Sequence, residues 1–380
     1  MIRTAQSCLA EAADAVEAFH RDIMHPDLAL VVFFCSSDFA LDRMAAELAR
    51  RFGEIPVIGC TAAGAFGPKG FHQHTISGIG FCAPWCLAEV CHLPLLPSFD
   101  AEDCQQQVHG MRERLAAKGY WVQSTNTFAL QLIDGLSIKE EAVSRTVQNA
   151  LGATFMVGGS AGDDLAFRQT HVYHDGAFHS GEMVLALVAT QLPFHLFMTQ
   201  HFHVLPERMV VTKADEAQRI VYEINGLPAA KEYARCAGVV EDERLPELFS
   251  KTPVVVKVGD RHYVRAIQQT LPGGALKFYC AIEEGMVLHL AQGGDMVRNL
   301  SDAFDEVESA LGGPPVAIFG SDCILRRLEI QQRHLDERMN TLYTDHNMVG
   351  FATYGEQLRG VHINQTLTGV AFGQLPEKAS

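Results

Sequence analysis

The chain has 380 residues, enough for two or three domains and a large core. Its net charge of −15 argues against a broad nucleic-acid surface or an anionic-membrane patch. Hydrophobic residues make up 48% of it, yet no run approaches the ~18–20 unbroken apolar residues of a membrane helix.

Residues 1–26 read as an amphipathic helix carrying Glu11, Asp14 and Glu17, ended at His25-Pro26 because the residue before proline avoids helical angles. This segment lacks the basic start and apolar centre of a signal peptide, so a cytoplasmic location is expected. Residues 28–34 are a continuous apolar run, as in a strand covered on both faces. Ser36, Ser37 and Asp38 supply N-cap chemistry for a helix over 39–52, and Gly53 closes it before a strand at 55–58. The glycine-rich loop 66–74 carries His72 and His74. Helices are predicted over 101–118 and, after Ser137, over 139–151. Alternation around Asp175-Gly176 predicts a β-hairpin within 170–179. Strands at 194–199 and 209–212 flank Gln200-His-Phe-His-Val-Leu-Pro206. The Asn225-Gly226 turn leads into a short helix with Tyr233, and a second short helix spans 246–251. Antiparallel strands follow at 254–258, 263–268 and 276–281, then a helix over 296–311 that Gly312-Gly-Pro-Pro315 ends. A strand at 316–319 precedes a long helix, and residues 374–380 are a tail.

One pattern occurs three times. Val57-Ile-Gly-Cys-Thr-Ala-Ala-Gly64, Val157-Gly-Gly-Ser-Ala-Gly162 and Val349-Gly-Phe-Ala-Thr-Tyr-Gly355 are each an apolar strand end, a glycine and a small-residue turn. A second strand follows each, and a strand and helix precede each. The fold class is therefore α/β, with repeated strand-helix-strand units and glycine turns, in two domains. The second copy is degenerate, with Asp163 where the others have Gly64 and Gly355. The domain boundary is placed near 212–225.

The ten cysteines contain no C-x-x-C pair, so reduced thiols are expected. Cys82, Cys86, Cys91 and His92 do not have zinc-knuckle spacing and read as small apolar residues on a strand and its loop. Cys35 and Cys60 lie at strand ends but lack an identifiable His–Asp partner, and no phosphate-loop pattern is present. The chain does not read as an enzyme.

Val157-Gly-Gly-Ser-Ala-Gly-Asp-Asp164 with Tyr173-His-Asp-Gly176, Val211-Thr-Lys-Ala214 with Val221-Tyr-Glu-Ile-Asn-Gly226, and Gly350-Phe-Ala-Thr-Tyr-Gly-Glu356 with Asn364-Gln-Thr-Leu367 resemble the FIST family over roughly residues 28–372. The resemblance implies a FIST N domain at 27–218 and a FIST C domain at 219–373. It implies an intracellular, bacterial signal-transduction sensor. As a stand-alone chain it is similar to the family's nitric-oxide-sensing haem proteins. These bind haem b, respond to NO or CO and regulate a histidine kinase, and they leave room for a homo-oligomer. The alternative is a sensory module without haem for a small, amino-acid-like metabolite.

A haem sensor needs a neutral axial histidine and an apolar slot. His201 and His203 alternate beside Phe197, Phe202 and Val204, so on a strand both imidazoles would share one face. They are the leading iron ligands, ahead of His174 and His179 on the hairpin and His289. The covalent C-x-x-C-H signature is absent, so such haem would be noncovalent. For a metabolite, Asp163 and Asp164 after the glycine turn offer carboxylates to a cation or amine, or serve as turn caps. Thr61, Ser160 and Thr353 occupy matching places in the three turns, where hydroxyls cradle a carboxylate or cap the next segment.

Overall fold

Three times the chain lays down an outer strand, a helix, a strand, further helix and a parallel strand, then a short hairpin and a closing strand. The computed structural model describes residues 1–239, 248–249, 251–258 and 261–375. The first unit is β1 (Ile2–Ser7), α1 (Ala12–Ile23), β2 (Leu28–Ser36), α2 (Leu41–Phe52), β3 (Val57–Ala62), the hairpin β4 (Ala65–Gly67) and β5 (Gly70–His72), and β6 (Ile76–Cys82). The second is β7 (Cys86–Pro94), α3 (Ala101–Ala117), β8 (Thr127–Ile133), α4 (Glu140–Leu151), β9 (Met156–Ser160), the hairpin β10 (Val172–His174) and β11 (Ala177–His179), and β12 (Glu182–Thr190).

The third unit opens with β13 (Phe194–Thr199) and is then interrupted. The insertion is β14 (Phe202–Asp215), β15 (Ile220–Ile224), β16 (Leu227–Pro228), α5 (Ala229–Cys236), β17 (Val254–Val258), β18 (Arg261–Arg265), β19 (Ile267–Leu271), β20 (Ala275–Phe278) and β21 (Val287–Gly293). The unit resumes with α6 (Met296–Leu311), β22 (Ala317–Cys323), α7 (Ile324–Gln332), α8 (Asp336–Asp345), β23 (Met348–Thr353), the hairpin β24 (Glu356–Leu358) and β25 (Val361–Ile363), and β26 (Leu367–Phe372). The inserted strands form a sheet of their own.

Each unit's sheet has the same plan, and each hairpin is lent to a neighbour. The orders are β1-β6-β2-β3-β10-β11, β7-β12-β8-β9-β24-β25 and β13-β26-β22-β23-β4-β5. Hence β10 pairs with β3, β24 with β9 and β4 with β23, closing a cycle of three. The inner faces of the three sheets share one core. Phe81, Phe128 and Phe372, one from each sheet, meet with ring centres 5.5–6.2 Å apart. Phe34 stacks on Phe351 at 4.3 Å. The helices cover the outer faces, as with Ala12, Ala15, Val16, Phe19 and Ile23 along one side of α1.

The repeated glycine has a steric cause. Gly59, Gly158 and Gly350 stand opposite Phe33, Gln131 and Gly320 on the neighbouring parallel strand. A Cβ there would lie 2.6, 2.1 and 1.8 Å from the carbonyl oxygens of those residues. Glycine lets the paired strands approach at the point where the turn begins.

Three sequence expectations are corrected. Residues 1–26 are not one helix, because Ile2–Ser7 is recruited as an edge strand against β6, from Ile2↔Phe81 to Ser7↔Ile76. Tertiary pairing overrides local propensity there. The strand placed at 209–212 is longer, since β14 already begins at Phe202, runs to Asp215 and pairs with β21. The long helix after Cys323 is two helices, broken where His334 takes a φ of 53°. Of the short helix predicted over 246–251, residues 248, 249 and 251 are helical and the others lie outside the described residues, as do 376–380 of the tail.

The carbonyl contact gives a direct test. Gly158→Ala should cost at least the ~1–3 kcal/mol of ordinary overpacking. Gly313→Ala, whose Cβ meets nothing within 4 Å, should stay within about 0.5 kcal/mol of wild type. Thermal melting of both variants checks the contrast.

Candidate functional site

The three glycine turns come together where β3, β9 and β23 end. Thr61 and Ser160 match Ala352, since their carbonyls accept the N–H groups of Gly162, Tyr354 and Ala63 in turn, and Thr353 lies one residue further on; all four are buried. Thr61 Oγ1 accepts the His171 N–H at 3.0 Å. Thr353 Oγ1 donates to the Ser160 carbonyl at 2.7 Å, and Ser160 Oγ accepts from Gln357 Nε2 at 2.9 Å. The backbone also crosses between units, with Gly162 N–H on the Thr61 carbonyl and Ser160 N–H on the Gly355 carbonyl. These hydroxyls staple one unit to the next.

Asp163 follows the second turn. Its carboxylate accepts backbone N–H groups from Phe167 (2.9 Å), Arg168 (2.7 Å) and Gln169 (2.9 Å), and the Tyr354 hydroxyl. The loop coils around that charge with Asp164, Leu165 and Phe167 at positive φ. Asp164 turns away toward Ser36, and burial with Asp38 nearby pushes its carboxyl up to about 6. The two adjacent aspartates therefore do not form one ligand pair.

The coiled loop projects Phe167 into the seam between the three-unit core and the inserted sheet. Its ring stacks on Tyr354 at 4.8 Å and lies 5.9 Å from Tyr279. These rings line a cleft of about 230 Å³ that also takes in Glu140, Arg219, Gln268 and Lys277. Arg219, held at φ 58°, donates to Glu140 at 2.8 Å, Glu141 at 2.6 Å and the Tyr279 carbonyl at 2.5 Å. One guanidinium thus serves two carboxylates, and burial pushes Glu140 up to about 7. Lys277 has no ion-pair partner among the described residues. The Gln268 amide oxygen is buried without a hydrogen-bond partner among them. Behind the ion cluster, His362 is fully buried, with Gln357 Nε2 at 3.2 Å from its Nδ1.

The five histidines proposed as iron ligands fall in three places, with His201 and His203 at one cavity, His174 stacked on His179, and His289 on β21. His201 precedes β14 and is buried, while His203 is exposed on the strand opposite Gln292. The expectation of a shared face is corrected, because only one of the two lies within the strand. His201 Nε2 is 2.9 Å from Glu329 Oε2, and Arg326 Nη1 lies 3.4 Å from its Nδ1. Beside both is a cavity of about 370 Å³ walled by Gln200, Asp295, Arg298, Asn299 and Asp302. His174 has carboxylates at both nitrogens and an imidazole against each ring face, His92 at 3.9 Å and His179 at 4.1 Å. His289 faces Arg208 across the strand pair, with the His262 ring 6.3 Å away. Haem needs a free imidazole nitrogen beside an apolar slot. His201 and His174 have no free nitrogen and His203 is exposed, so these three do not fit the group, whereas His179 Nε2 and His289 Nδ1 are buried without a hydrogen-bond partner among the described residues.

Residues 29–227 match the FIST N domain model and residues 229–359 the FIST C domain model. The chain belongs to the FIST family. FIST domains are sensory domains of signal transduction that bind small ligands. The seam cleft draws on both matched segments, with Phe167 and Arg219 from FIST N and Lys277, Tyr279 and Tyr354 from FIST C. No curated protein matches the chain. No helix of the described residues is long and apolar enough to cross a membrane. The Cys35 and Cys60 thiols are pushed well up by burial, so neither is a thiolate near neutral pH.

Sequence reading missed Arg219, Glu140, Glu141 and Lys277. The pair Glu140-Glu141 opening a helix was a visible signal, but nothing in the linear order joins it to Arg219, 79 and 78 positions on.

Asp163→Ala should destabilise the protein by about 3 kcal/mol or more, since hydrogen bonds to a charged group contribute ~1.5–3 kcal/mol each. It should also raise amide exchange across 164–169, read by hydrogen exchange. His362 gives a pH test. Burial pushes its imidazole down to about 4, against the cation-favouring Glu141 and with Arg219 and Arg265 opposing protonation. Unfolding returns it to ~6.5, so its stabilising contribution is present above that pH and is lost as pH falls toward 4. In His362→Gln the stability difference between pH 7 and pH 4 should shrink by up to ~3 kcal/mol, as urea titrations at both pH values would show.

Proposed function

We propose that this FIST protein senses a small zwitterionic metabolite of amino-acid type, bound in the seam between the three-unit core and the inserted sheet. The observation that carries this reading is the cleft itself. It sets the Glu140 carboxylate beside Arg219, the Lys277 ammonium, which has no ion-pair partner among the described residues, and the aromatic residues Phe167, Phe278, Tyr279 and Tyr354 around about 230 Å³. Lys277 would take the ligand's carboxylate, Glu140 its ammonium, and Phe167 and Tyr354 its side chain. Clefts at domain seams with a few convergent polar groups are the usual place for such ligands.

The signal follows from position. A ligand touching both walls stabilises one relative placement of core and insertion. A partner protein that distinguishes the two placements is thereby regulated. A histidine kinase is the partner class that the family resemblance implies. Haem and NO do not enter this reading, because both nitrogens of the leading candidate His201 are engaged and His203 is exposed.

Thermal melting against the twenty amino acids and related zwitterions tests it, since a ligand specific to the folded state raises the midpoint. At least one should do so saturably, and Lys277→Ala and Glu140→Gln should each abolish the rise. No shift from any member, or a shift unchanged in Lys277→Ala, overturns the proposal. So does an NO-responsive Soret band at one haem per chain after reconstitution.

A further inference from the structure

A second site lies away from the seam, where the β10–β11 hairpin meets the β7–β12 sheet edge. We propose that His92, His174 and Glu182 bind a divalent transition metal of the zinc class. Their donor atoms lie within 4.8 Å of one another. Glu182 Oε2 is 2.8 Å from His174 Nε2 and 3.7 Å from His92 Nδ1, so two imidazole nitrogens converge on one carboxylate oxygen. Nitrogen and oxygen donors at 2.0–2.1 Å around tetrahedral zinc sit roughly 3.3 Å apart. The cluster closes to that spacing if His92 swings inward. Its side chain is 45% exposed on the edge strand β7, which leaves it room to do so.

The remaining nitrogens support the assignment. His174 Nδ1 lies 3.3 Å and His92 Nε2 3.2 Å from the same Asp175 oxygen. Each His174 nitrogen thus faces a carboxylate, Nε2 that of Glu182 and Nδ1 that of Asp175. With a metal on Nε2, the proton resides on Nδ1 and donates to Asp175. His92 follows the same rule, with the metal on Nδ1 and the proton on Nε2. Asp175 thus becomes the outer carboxylate that orients both ligands, the arrangement metal-bound histidines ordinarily adopt. His179 stacks on the far face of His174 at 4.1 Å, with Nδ1 3.7 Å from the other Glu182 oxygen and a buried, unpartnered Nε2. A nitrogen- and oxygen-rich donor set of this kind selects zinc-class ions over magnesium or calcium.

The site would fasten the second unit's lent hairpin to its own sheet. Because it shares no residue with the seam cleft, it stands or falls independently of the metabolite reading. The test is titration of the full chain with Zn²⁺, followed by calorimetry, and with Co²⁺, followed by visible absorption. One equivalent should bind, with a tetrahedral cobalt spectrum and a raised melting midpoint. His92→Ala and Asp175→Asn should each weaken binding tenfold or more. Both side chains are at the surface, 45% and 75% exposed, so neither change threatens folding. Absence of stoichiometric binding, unchanged affinity in His92→Ala, or a thiolate-to-cobalt charge-transfer band marking cysteine ligation overturns the assignment.

Discussion

A parallel strand pair that ends at a sheet edge leaves a row of unpaired backbone donors and acceptors, and such edges invite unwanted pairing. Here the edges at β3, β9 and β23 are covered because each unit sends its hairpin into the next unit's sheet. The exchange works only as a closed cycle, since a missing unit would uncover one edge and strand one hairpin. That is why the third unit keeps its plan although the inserted sheet separates β13 from α6. It also explains the turn composition. A hairpin leaves its sheet at once after the parallel strand, so the chain is crowded there. Glycine at positions 59, 158 and 350 relieves the crowding against the adjacent carbonyls.

The seam depends on this closure. Asp163 sits just beyond the second turn, and Tyr354 just beyond the third, so the cycle brings the carboxylate and the phenol together. The loop wound on Asp163 then places Phe167 against the inserted sheet. On that sheet Arg219 reaches back to Glu140 and Glu141 at the start of α4. Buried ion pairs of this kind add little net stability over apolar packing, because desolvation offsets the attraction. By that logic their value is orientation: they fix which residues of the insertion face the core. A cleft whose walls belong to two bodies held by charge is well suited to respond to a charged ligand.

Much of the architecture was legible in the sequence. The threefold pattern stood out because small residues are forced at equivalent strand ends, and buried parallel strands read as unbroken apolar runs. The hairpin exchange was not legible, since the residues of β4, β10 and β24 specify pairing but not the identity of the partner sheet. Nor was the N-terminal strand, whose alternation is masked by the helix that follows it. At the site, Thr61, Ser160 and Thr353 were read as equivalent, but Ala352 is the counterpart of the first two, and the three hydroxyls serve as staples between units. Asp163 was visible as an acidic residue after a glycine turn, but its four donors arrive from the folded loop and from Tyr354. His92 was grouped with its neighbouring cysteines, whereas its contacts are His174, Asp175 and Glu182, all on the far side of two helices in sequence.

His201 shows how a residue singled out for one chemistry can carry another. Its ring is held by Glu329, with Arg326 behind it. Arg326 in turn donates to Asp322, which accepts the Tyr343 hydroxyl, and Arg333 donates to Glu329. This network ties the first residue of the insertion's lead-in to α7 and α8 of the core. The Arg219 cluster ties the same insertion to α4. The inserted sheet therefore meets the core at two charged joints, one around the buried His201–Glu329 pair, the other bordering the seam cleft. A metabolite bound as proposed would bear on the second joint without touching the first, so any shift of the inserted sheet would take place about the His201 joint.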